Sequence, residues 1–529
     1  MPQVRTRIVE GEPLASPVPA LTIPQYLRER AREYANKTAL VEAASGRSYS
    51  YGALDHRIGR FAAGLAAQGF APGHALLMFL PNLPEWPIAA LGAMFGGGIV
   101  SGANPMSSVA ELARQLRDSR ARFVVTIPQF LDTARQAIEQ TAGAAKVILL
   151  GEAPHTLSFA HLLACPDPEP VIASDPDALA ALPYSSGTSG ASKGVMLTHR
   201  NILANFWQCL QARPFPTSAV GLAFLPMFHV FGFTVILIMG MASGVKLVTV
   251  PRFEPEPFLK ALQDYRITHL FVVPPVLQFL ANHPLVASYD LSSLQYVGCG
   301  AAPLGAALEQ KAADRLRCEL VQGFGMTESS AVVTTTYVDR IRRGSSGQLL
   351  PGTQARVVDP LTREDAERGV AGELWFRGPQ AFQGYLNDPK TTADTITPDG
   401  WVRTGDIGYF DEDGFLYITD RLKELIKVKG YQVAPAELEA LLYTHPRVTD
   451  AAVIGRPDER AGELPVAYVV ARDGLDVEEL KSWVGERVGE HKQLGDVILC
   501  EAIPKSPSGK ILRRILRAQD AQRSSASPA

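Results

Sequence analysis

The amino-acid sequence predicts a mixed α/β protein with a large N-terminal domain and a smaller α+β domain at the C-terminal end. Between about residues 23 and 250, helical stretches alternate with short apolar runs, which is typical of βαβ units around a largely parallel sheet. Beyond Gly344 short strands are separated by turn residues, and a new alternation of helices and strands follows residue 423. With 529 residues, of which 46% are hydrophobic, the chain can bury several cores.

The first half of the chain predicts two sheet subdomains of the βαβ type. The first has a helix over 51–69 and strands over 75–80 and 123–127; the second has strands over 246–250, 269–273 and 294–297 and a helix over 257–265. The apolar run 230–242 contains glycines and is too short to span a bilayer, so it predicts a buried helix.

The remainder predicts a small β-barrel-like subdomain followed by the C-terminal domain. Turn signals at Pro351-Gly352, Asp399-Gly400 and Asp413-Gly414 separate the short strands of the subdomain. The C-terminal pattern predicts helices over 435–443 and 477–488 and strands over 451–454 and 465–470. We therefore divide the chain into an N-terminal domain, 1–421, and a C-terminal domain, 422–529.

Composition and charge exclude several classes of function. Lysines and arginines number 51 against 54 acidic residues, so no basic field for nucleic acid or a membrane surface is expected. Five widely spaced cysteines without a CxxC pair predict neither a disulfide framework nor a zinc site, and they fit a reducing compartment. The N-terminal residues lack the apolar core of a signal peptide. We expect a cytoplasmic protein, monomeric or homodimeric.

The stretch Pro183 to Gly194, PYSSGTSGASKG, is the most informative segment. Its glycines allow close approach, so backbone N–H groups and hydroxyls can surround a phosphate. It is not a Walker loop, because Ala191 and Ser192 separate Gly190 from Lys193. A flexible Ser/Gly linker is the alternative, which the apolar flanks disfavour.

Two further motifs could bind parts of a nucleotide. In QGFGMTE, Gln322 to Glu328, Phe324 offers a flat face to a base, and Thr327 and Glu328 offer oxygen ligands suited to Mg²⁺. The alternative is a tight turn with a capping glutamate. In WVRTGD, Asp406 could accept hydrogen bonds from both hydroxyls of a ribose, or could be an ordinary turn aspartate.

The segment DRLKELIKVKGYQ, residues 420–432, carries four cations: Arg421, Lys423, Lys427 and Lys429. Such a run is usually a solvated face. Its position at the predicted domain boundary would also suit a polyanionic ligand that enters between the domains.

Two isolated residues complete the set of candidates. Lys510 ends the motif KSPSGK on a predicted loop, where domain closure could bring it to a phosphate or carboxylate; a plain surface lysine is the alternative. His229 stands among apolar residues in LPMFHVFGF, and it is either a core histidine or a gate to a pocket.

Together and in their order along the chain, the six motifs resemble those of the acyl-adenylate-forming superfamily, especially the acyl-CoA synthetases of the 4-coumarate–CoA ligase and firefly luciferase group. The resemblance extends from about residue 26 to 516. It implies that a carboxylate attacks the α-phosphate of MgATP, releasing pyrophosphate, and that the coenzyme A thiol then displaces AMP. The substrates and cofactor would be a small carboxylic acid, ATP, coenzyme A and Mg²⁺, and neutralisation of charge would let one anion approach another.

The resemblance also implies roles for single residues. Thr327 would hold phosphate, Glu328 would bind Mg²⁺, and Asp406 would take the ribose hydroxyls with Arg421 beside it. Phe324 would pack near the adenine. The other residues implied for ATP and AMP are Ser185, Ser186, Gly187, Thr188, Ser189, Gly190 and Lys193 at the phosphates, together with Gln322 and Gly323.

The C-terminal domain would rotate between the two half-reactions. Lys510 would bridge the carboxylate and the α-phosphate during adenylation, and Lys423 would be the hinge. After rotation the segment from Lys427 to Gln432 would replace Lys510, Lys429 and Gly430 would line the pantetheine tunnel, and His229 would move aside for the thiol.

The implied acyl pocket differs from that of plant 4-coumarate ligases. Gly298 replaces a bulky methionine and Ala331 replaces a proline, so the pocket is wider, although Val235 is somewhat larger than its usual counterpart. The phosphate loop carries Ser192 where proline is common. The implied pocket residues are His229, Val230, Phe231, Val235, Gly298, Gly300, Ala301, Gly323, Ala331 and Val332.

We therefore expect a CoA ligase for an aromatic or otherwise bulky apolar acid. Two alternatives remain: a specialist for thioesterification of an adenylate supplied by a partner, and a stand-alone enzyme that adenylates amino acids or aryl acids. An amino-acid enzyme needs an aspartate near His229 to hold the ammonium group, and PMFHVFGF has none.

Overall fold

The computed structural model describes residues 8–141, 145–185, 192–429, 431–458, 460–472, 474–506 and 509–526. The predicted mixed α/β class is confirmed: the described residues form two large, mainly parallel sheets, a five-stranded antiparallel sheet, a two-stranded hairpin and a separate C-terminal sheet, together with the helices that connect them.

The first sheet has seven strands and a parallel centre. Ala75–Phe79 lies between Ile99–Gly102 and Phe123–Thr126, and all five of its residues are buried, as expected for a strand covered on both faces. In spatial order the strands are Leu197–Thr198, Leu179–Ala181, Ile99–Gly102, Ala75–Phe79, Phe123–Thr126, Lys146–Leu149 and Leu157–Ser158.

The second sheet has nine strands, with antiparallel pairs at its ends. Its parallel centre includes Glu319–Phe324 and Tyr296–Cys299, whose carboxyl ends face the candidate site. In spatial order the strands are Gln348–Leu349, Thr334–Thr335, Glu319–Phe324, Tyr296–Cys299, His269–Val272, Val220–Ala223, Lys246–Thr249, Thr38–Glu42 and Ser48–Ser50.

Helices connect these strands, and several begin at capping residues that the sequence provides. Ser108 accepts a hydrogen bond from the backbone N–H of Glu111, whose carboxylate accepts from the backbone N–H of Ser108, at the start of Val109–Ser119. The other helices of this half are Ile23–Glu33, Tyr51–Ala67, Glu85–Phe95, Leu131–Glu139, Phe159–Leu163, His199–Ala212, Phe231–Ile238, Met239–Ala242, Pro255–Asp264, Pro274–Asn282 and Ala306–Leu316.

The predicted β-rich subdomain is an antiparallel sheet of five strands. The short helix Pro389–Thr395 lies between its strands Gly372–Arg377 and Val402–Phe410 along the chain. The sheet places Asp406 beside Arg421 on neighbouring strands. In spatial order its strands are Val9–Glu10, Gln354–Val358, Gly372–Arg377, Val402–Phe410 and Leu416–Arg421.

From Ile426 onward the chain forms its own sheet and its own apolar cores. The proposed boundary between residues 421 and 422 falls at the end of Leu416–Arg421, before this sheet begins. Its strands are Ile426–Val428, Tyr431–Val433, Val448–Asp458, Gly462–Ala471 and Asp496–Leu499, and its helices are Pro435–Leu442, Val477–Gly485 and Arg513–Ala526.

The form or the bounds of several local predictions differ from the structure, and the helix predicted over 477–488 ends at Gly485. The buried run 230–242 is helical, but Phe231–Ile238 is a π-helix, a form often found at functional sites. The strand predicted over 294–297 is Tyr296–Cys299, because Leu294 closes a turn with Leu291. The strands predicted over 451–454 and 465–470 extend to Val448–Asp458 and Gly462–Ala471, since backbone pairing continues beyond their apolar centres. Within the described residues, no helix has the length and apolar character needed to cross a membrane.

Candidate active site

The serine-rich segment begins and ends in a short antiparallel hairpin. Tyr184–Ser185 pairs with Lys193–Gly194, so Ser185 lies directly opposite Lys193. The Nζ atom of Lys193 lies 5.4 Å from the centre of the Tyr385 ring. Ser186, Gly187, Thr188, Ser189 and Gly190 lie outside the described residues.

Glu328 joins this hairpin to the QGFGMTE motif. Glu328 is only 5% exposed, in the turn Thr327–Ser329 that follows the strand Glu319–Phe324. Its Oε1 accepts hydrogen bonds from the Tyr385 hydroxyl at 2.8 Å and from the Ser185 hydroxyl at 3.2 Å. Two motifs distant in sequence therefore meet at one buried carboxylate.

The chemistry of this position fits Mg²⁺. A carboxylate beside hydroxyl oxygens supplies hard ligands, and Mg²⁺ is commonly held by one or two carboxylates together with phosphates of the substrate. The described residues contain no cluster of three or more His, Cys, Asp or Glu side chains able to hold a metal ion. A magnesium ion at Glu328 would thus depend on phosphate oxygens for much of its coordination.

Asp406 and Arg421 form a buried ion pair on adjacent strands. The Arg421 Nε atom lies 2.9 Å from Asp406 Oδ1, and Asp406 is 4% exposed. Burial raises the pKa of Asp406, while the positive charges of Arg421 and Lys510 act in the opposite direction. Arg421 therefore orients the Asp406 carboxylate, and the positive charge of Lys510 favours its ionised form.

Lys510 reaches this site from the C-terminal domain. A Cβ atom on the neighbouring Gly509 would lie 3.0 Å from Val273 Cγ2 and 3.2 Å from Pro275 Cδ, so this loop packs directly on the N-terminal domain. Gly509 also has φ +78°, a conformation that favours glycine. The loop thus brings Lys510 to the Asp406–Arg421 pair.

Burial and the charge of Arg421 lower the pKa of Lys510 to about 8, although Asp406 and Glu424 oppose the shift. Burial, with a smaller contribution from Lys510, lowers the pKa of His229 to about 4. His229 is therefore neutral at neutral pH. Its Nδ1 accepts a hydrogen bond from the backbone N–H of Phe231 at 3.2 Å, which leaves the proton on Nε2.

The structure does not bring the 427–432 segment to this cleft. Lys427 and Gln432 face each other in the hairpin Ile426–Val428 and Tyr431–Val433, and the backbone N–H of Lys427 donates to Glu463. Lys429 is exposed, with its Nζ 3.3 Å from Glu490. Gly430 and the side chain of Gln432 lie outside the described part of the chain.

Two other predicted residues have informative environments. Lys423 is exposed in the turn between Leu416–Arg421 and Ile426–Val428. The side chain of Gln322 is buried and donates to Glu309 Oε2 at 2.6 Å.

A cavity beside His229 contains about 790 Å³ of space not filled by protein atoms, part of which opens to solvent. Its mainly apolar lining with a few polar groups is typical of small-molecule sites. All ten residues implied for the acyl pocket line it, namely His229, Val230, Phe231, Val235, Gly298, Gly300, Ala301, Gly323, Ala331 and Val332.

Gly298 determines the width of this cavity. A Cβ atom at this position would lie 2.9 Å from two ring carbons of Phe271 and 3.1 Å from the Tyr296 hydroxyl oxygen. A side chain here would therefore overlap the Phe271 ring unless that ring moved.

Sequence reasoning missed several residues of the site. Arg213, Phe215, Phe271 and Tyr296 line the cavity, and Tyr385 binds Glu328. Tyr296 could have been inferred, because it precedes Gly298 by two positions on a strand and so shares its face. The others come from remote elements with no local signal.

Family profiles match both the N-terminal and the C-terminal parts of the chain. The profile of the AMP-binding enzymes matches residues 27–386, and that of the AMP-binding enzyme C-terminal domain matches residues 437–510. The chain is 39% identical to 4-coumarate–CoA ligase 2 of Petroselinum crispum over 525 residues, which cover 95% of this chain and 96% of that protein.

Two solved structures share the fold. ATP-bound MatB of Rhodopseudomonas palustris superposes with a TM-score of 0.86 at 29% identity, covering 94% of this chain and 98% of that one. A benzoate CoA ligase of Burkholderia xenovorans LB400 gives 0.85 at 25% identity, covering 94% and 99%. The chain therefore belongs to the AMP-binding enzyme family and, within it, to the acid–thiol ligases homologous to the 4-coumarate–CoA ligases.

Proposed function

We propose that the protein activates an aromatic or bulky apolar carboxylic acid as an acyl-adenylate and transfers the acyl group to coenzyme A, releasing pyrophosphate and AMP. The observation that carries this proposal is the position of Lys510. Lys510 lies close enough to Asp406 and to His229 to influence the pKa values of both, and His229 lines the apolar cavity. A cation there can serve a nucleotide and an acid at once.

At the nucleotide end, we assign the phosphates to Ser185, Lys193 and Thr327 and the ribose hydroxyls to Asp406, with Arg421 orienting that carboxylate. Glu328 would hold Mg²⁺, which neutralises negative charge on the phosphate oxygens when bound. The residues 186–190 complete the proposed phosphate loop, and Gly323 and Phe324 form the adenine side. The contact of Ser185 with Glu328 supports a shared position for phosphate and metal.

In adenylation, a carboxylate oxygen forms a bond to the α-phosphorus, and the bond from that phosphorus to the oxygen of pyrophosphate breaks. The Lys510 ammonium would lie between the two approaching anions. Its pKa of about 8 keeps most of it charged at neutral pH, while neutral His229 adds no second cation. Lys510 thus offsets repulsion that would otherwise oppose the attack.

In the second half-reaction, the sulfur of coenzyme A, having lost its proton, bonds to the acyl carbon and AMP leaves with the electrons of the acyl–oxygen bond. We propose that the C-terminal domain, 422–529, first rotates about Lys423. The rotation would remove Lys510 and present Lys427, Lys429, Gly430 and Gln432. The exposure of Lys429 and its position in a hairpin away from the cleft support this exchange of faces.

The walls of the cavity support the proposed class of acid. Aromatic and aliphatic side chains form most of them, and the lining contains no aspartate or glutamate among the described residues. An amino-acid substrate would leave its ammonium group buried without a counter-charge, so the cavity disfavours that alternative. The relatives from Petroselinum crispum and Burkholderia xenovorans are named for aromatic acids, which agrees with this choice.

Two assays on a panel of acids test the proposal. Acid-dependent exchange of radiolabelled pyrophosphate into ATP measures adenylation, and formation of the acyl-CoA thioester measures both steps. We expect both signals with bulky aromatic acids and neither with amino acids. Thioester formation from synthetic acyl-adenylates, without acid-dependent exchange, would favour the specialist for the second half-reaction. Exchange without thioester would favour an enzyme that only adenylates.

A further inference from the structure

The wall of the cavity carries a tyrosine hydroxyl for which no hydrogen-bond partner is found among the described residues. Tyr296 is 7% exposed and lines the cavity, and within the described residues its hydroxyl makes no hydrogen bond. By contrast, the buried hydroxyls of Tyr51 and Tyr337 donate to backbone carbonyls at 2.7 and 2.9 Å. A hydroxyl that is accessible from an apolar cavity and has no protein partner is available to a polar group of a ligand in that cavity.

The hydroxyl faces the cavity because Gly298 lacks a side chain. A Cβ atom at residue 298 would lie 3.1 Å from the Tyr296 oxygen and would cover it. The same glycine that widens the cavity therefore also exposes a hydrogen-bond donor to whatever fills it.

A row of aromatic rings leads from the reacting end to this hydroxyl. The ring centres of Phe231 and Phe271 are 6.0 Å apart, and those of Phe271 and Tyr296 are 5.8 Å apart. Phe231 follows by two residues His229, which interacts with Lys510. The charged residues that act on Tyr296 are Arg213 and Glu319 instead, which places Tyr296 at the other end of the row. A rigid acid with its carboxylate at Lys510 would point its far end at Tyr296.

The charges around Tyr296 indicate that the recognised group is neutral. The Arg213 guanidinium lies 5.3 Å from the centre of the Tyr296 ring, and its Nη2 lies 2.6 Å from Glu319 Oε1. Arg213 also donates to the carbonyl oxygens of Thr336 and Tyr337. Because Glu319 already balances this cation, a second carboxylate on the substrate would be buried without a counter-charge.

We propose that Tyr296 forms a specificity subsite that donates a hydrogen bond to a neutral oxygen, such as a carbonyl or ether, at the far end of the bulky acid. This inference rests on the proposed ligase function and narrows its substrate class. Acids with an apolar far end would leave the hydroxyl unpaired, and acids with a charged far end would pay for desolvation.

Pairs of acids that differ at one atom test the subsite. Benzoate, cinnamate and biphenyl-carboxylate frames carry either a para-acetyl group or a para-isopropenyl group, in which CH₂ replaces the carbonyl oxygen. On the frame that is turned over best, we expect wild-type kcat/KM to favour the acetyl acid by about 5- to 150-fold. A para-carboxylate should be at least about 10-fold poorer than its methyl ester, as expected for an unbalanced buried charge.

Two variants separate the subsite from general effects on folding. Tyr296→Phe removes only the hydroxyl and should reduce the acetyl preference to within about twofold, since the donor is then absent. Tyr337→Phe removes a buried hydroxyl that binds Leu349 outside the cavity, and it should retain the wild-type preference. Thermal unfolding of both variants checks that the fold is intact.

A binding measurement keeps the test independent of turnover. Calorimetric dissociation constants of acyl-sulfamate adenosine analogues of each acetyl and isopropenyl acid should show the same preference in wild type and its loss in Tyr296→Phe. Equal affinity for both analogues in wild type, or an unchanged ratio in Tyr296→Phe, would overturn the subsite. If all the acids are turned over with no preference for the acetyl acid, the subsite is overturned but the ligase function is retained. If the analogues are discriminated but no acid is turned over, only the ligase function is contradicted.

Discussion

Replacing Gly298 by progressively larger residues should progressively restrict the size of the acids that the enzyme accepts. In Gly298→Ala the new Cβ would sit 2.9 Å from the Phe271 ring, so that ring must move by a few tenths of an ångström to reach ordinary contact. In Gly298→Met a longer side chain must also enter the cavity. Misfit of a single methylene costs about 1–3 kcal/mol in such pockets, which corresponds to about a 10- to 200-fold change in kcat/KM.

The assay compares kcat/KM for thioester formation with biphenyl-4-carboxylate and with an unbranched short-chain acid. We expect the ratio of the two to fall modestly in Gly298→Ala and by about 10- to 200-fold in Gly298→Met. Gly485→Ala is the matched control, since its Cβ would meet Gln493 at an ordinary 3.8 Å, in the C-terminal domain. A ratio that stays constant through the series would refute the assignment of this cavity to the acid.

Three further predictions concern the reacting end. Lys510→Ala should slow adenylation by about 10³-fold, because a unit charge at 4 Å contributes about 4 kcal/mol at an effective dielectric constant of 20. In the same variant, thioester formation from a synthetic adenylate should change less than about threefold. The control Lys505→Ala disrupts an ion pair with Asp450 inside the C-terminal domain and should leave the rate of adenylation unchanged. Equal loss of both half-reactions in Lys510→Ala would argue against the assigned role. The ammonium form of Lys510 is required for adenylation, and its pKa is about 8. The kcat/KM for pyrophosphate exchange should therefore decline above pH 8 in wild type but not in Lys510→Arg. A flat wild-type profile from pH 7 to 9.5 would contradict this prediction. Tyr385→Phe removes the 2.8 Å hydrogen bond to Glu328 and should raise the half-saturating Mg²⁺ concentration about 10- to 100-fold. The control Tyr468→Phe removes a hydroxyl bound to Asp520 and should leave that concentration unchanged. Equal Mg²⁺ dependence in both variants would contradict the assignment of Glu328 to the metal site.

Local patterns predicted the fold class and most of the elements. The alternation of apolar runs and amphipathic helices identified strands such as Ala75–Phe79 and helices such as Tyr51–Ala67 to within two residues, because burial on a sheet imposes that pattern. The extension of Val448–Asp458 was not predictable, since its ends are held by backbone pairing rather than by apolar side chains.

The site was predictable only where a motif carries its own chemistry. The residues of the cavity around His229 and Gly298 could be placed by resemblance, and they line one cavity. The contact between Ser185 and Glu328 joins residues 143 positions apart, and nothing local to either position encodes it. Arg213 reaches the cavity from a helix end, so its part in the site follows from packing alone. The roles of residues 186–190 and of Gly430 stay predictions.

The order of events on the enzyme is the most direct test of the account. In a rapid-quench experiment without coenzyme A, enzyme in excess over α-labelled ATP and a bulky aromatic acid should form acyl-AMP and pyrophosphate in equal amounts. Addition of coenzyme A should then convert the acyl-AMP to acyl-CoA and AMP. Release of labelled ADP, or formation of acyl-CoA without prior acyl-AMP, would contradict the proposed chemistry.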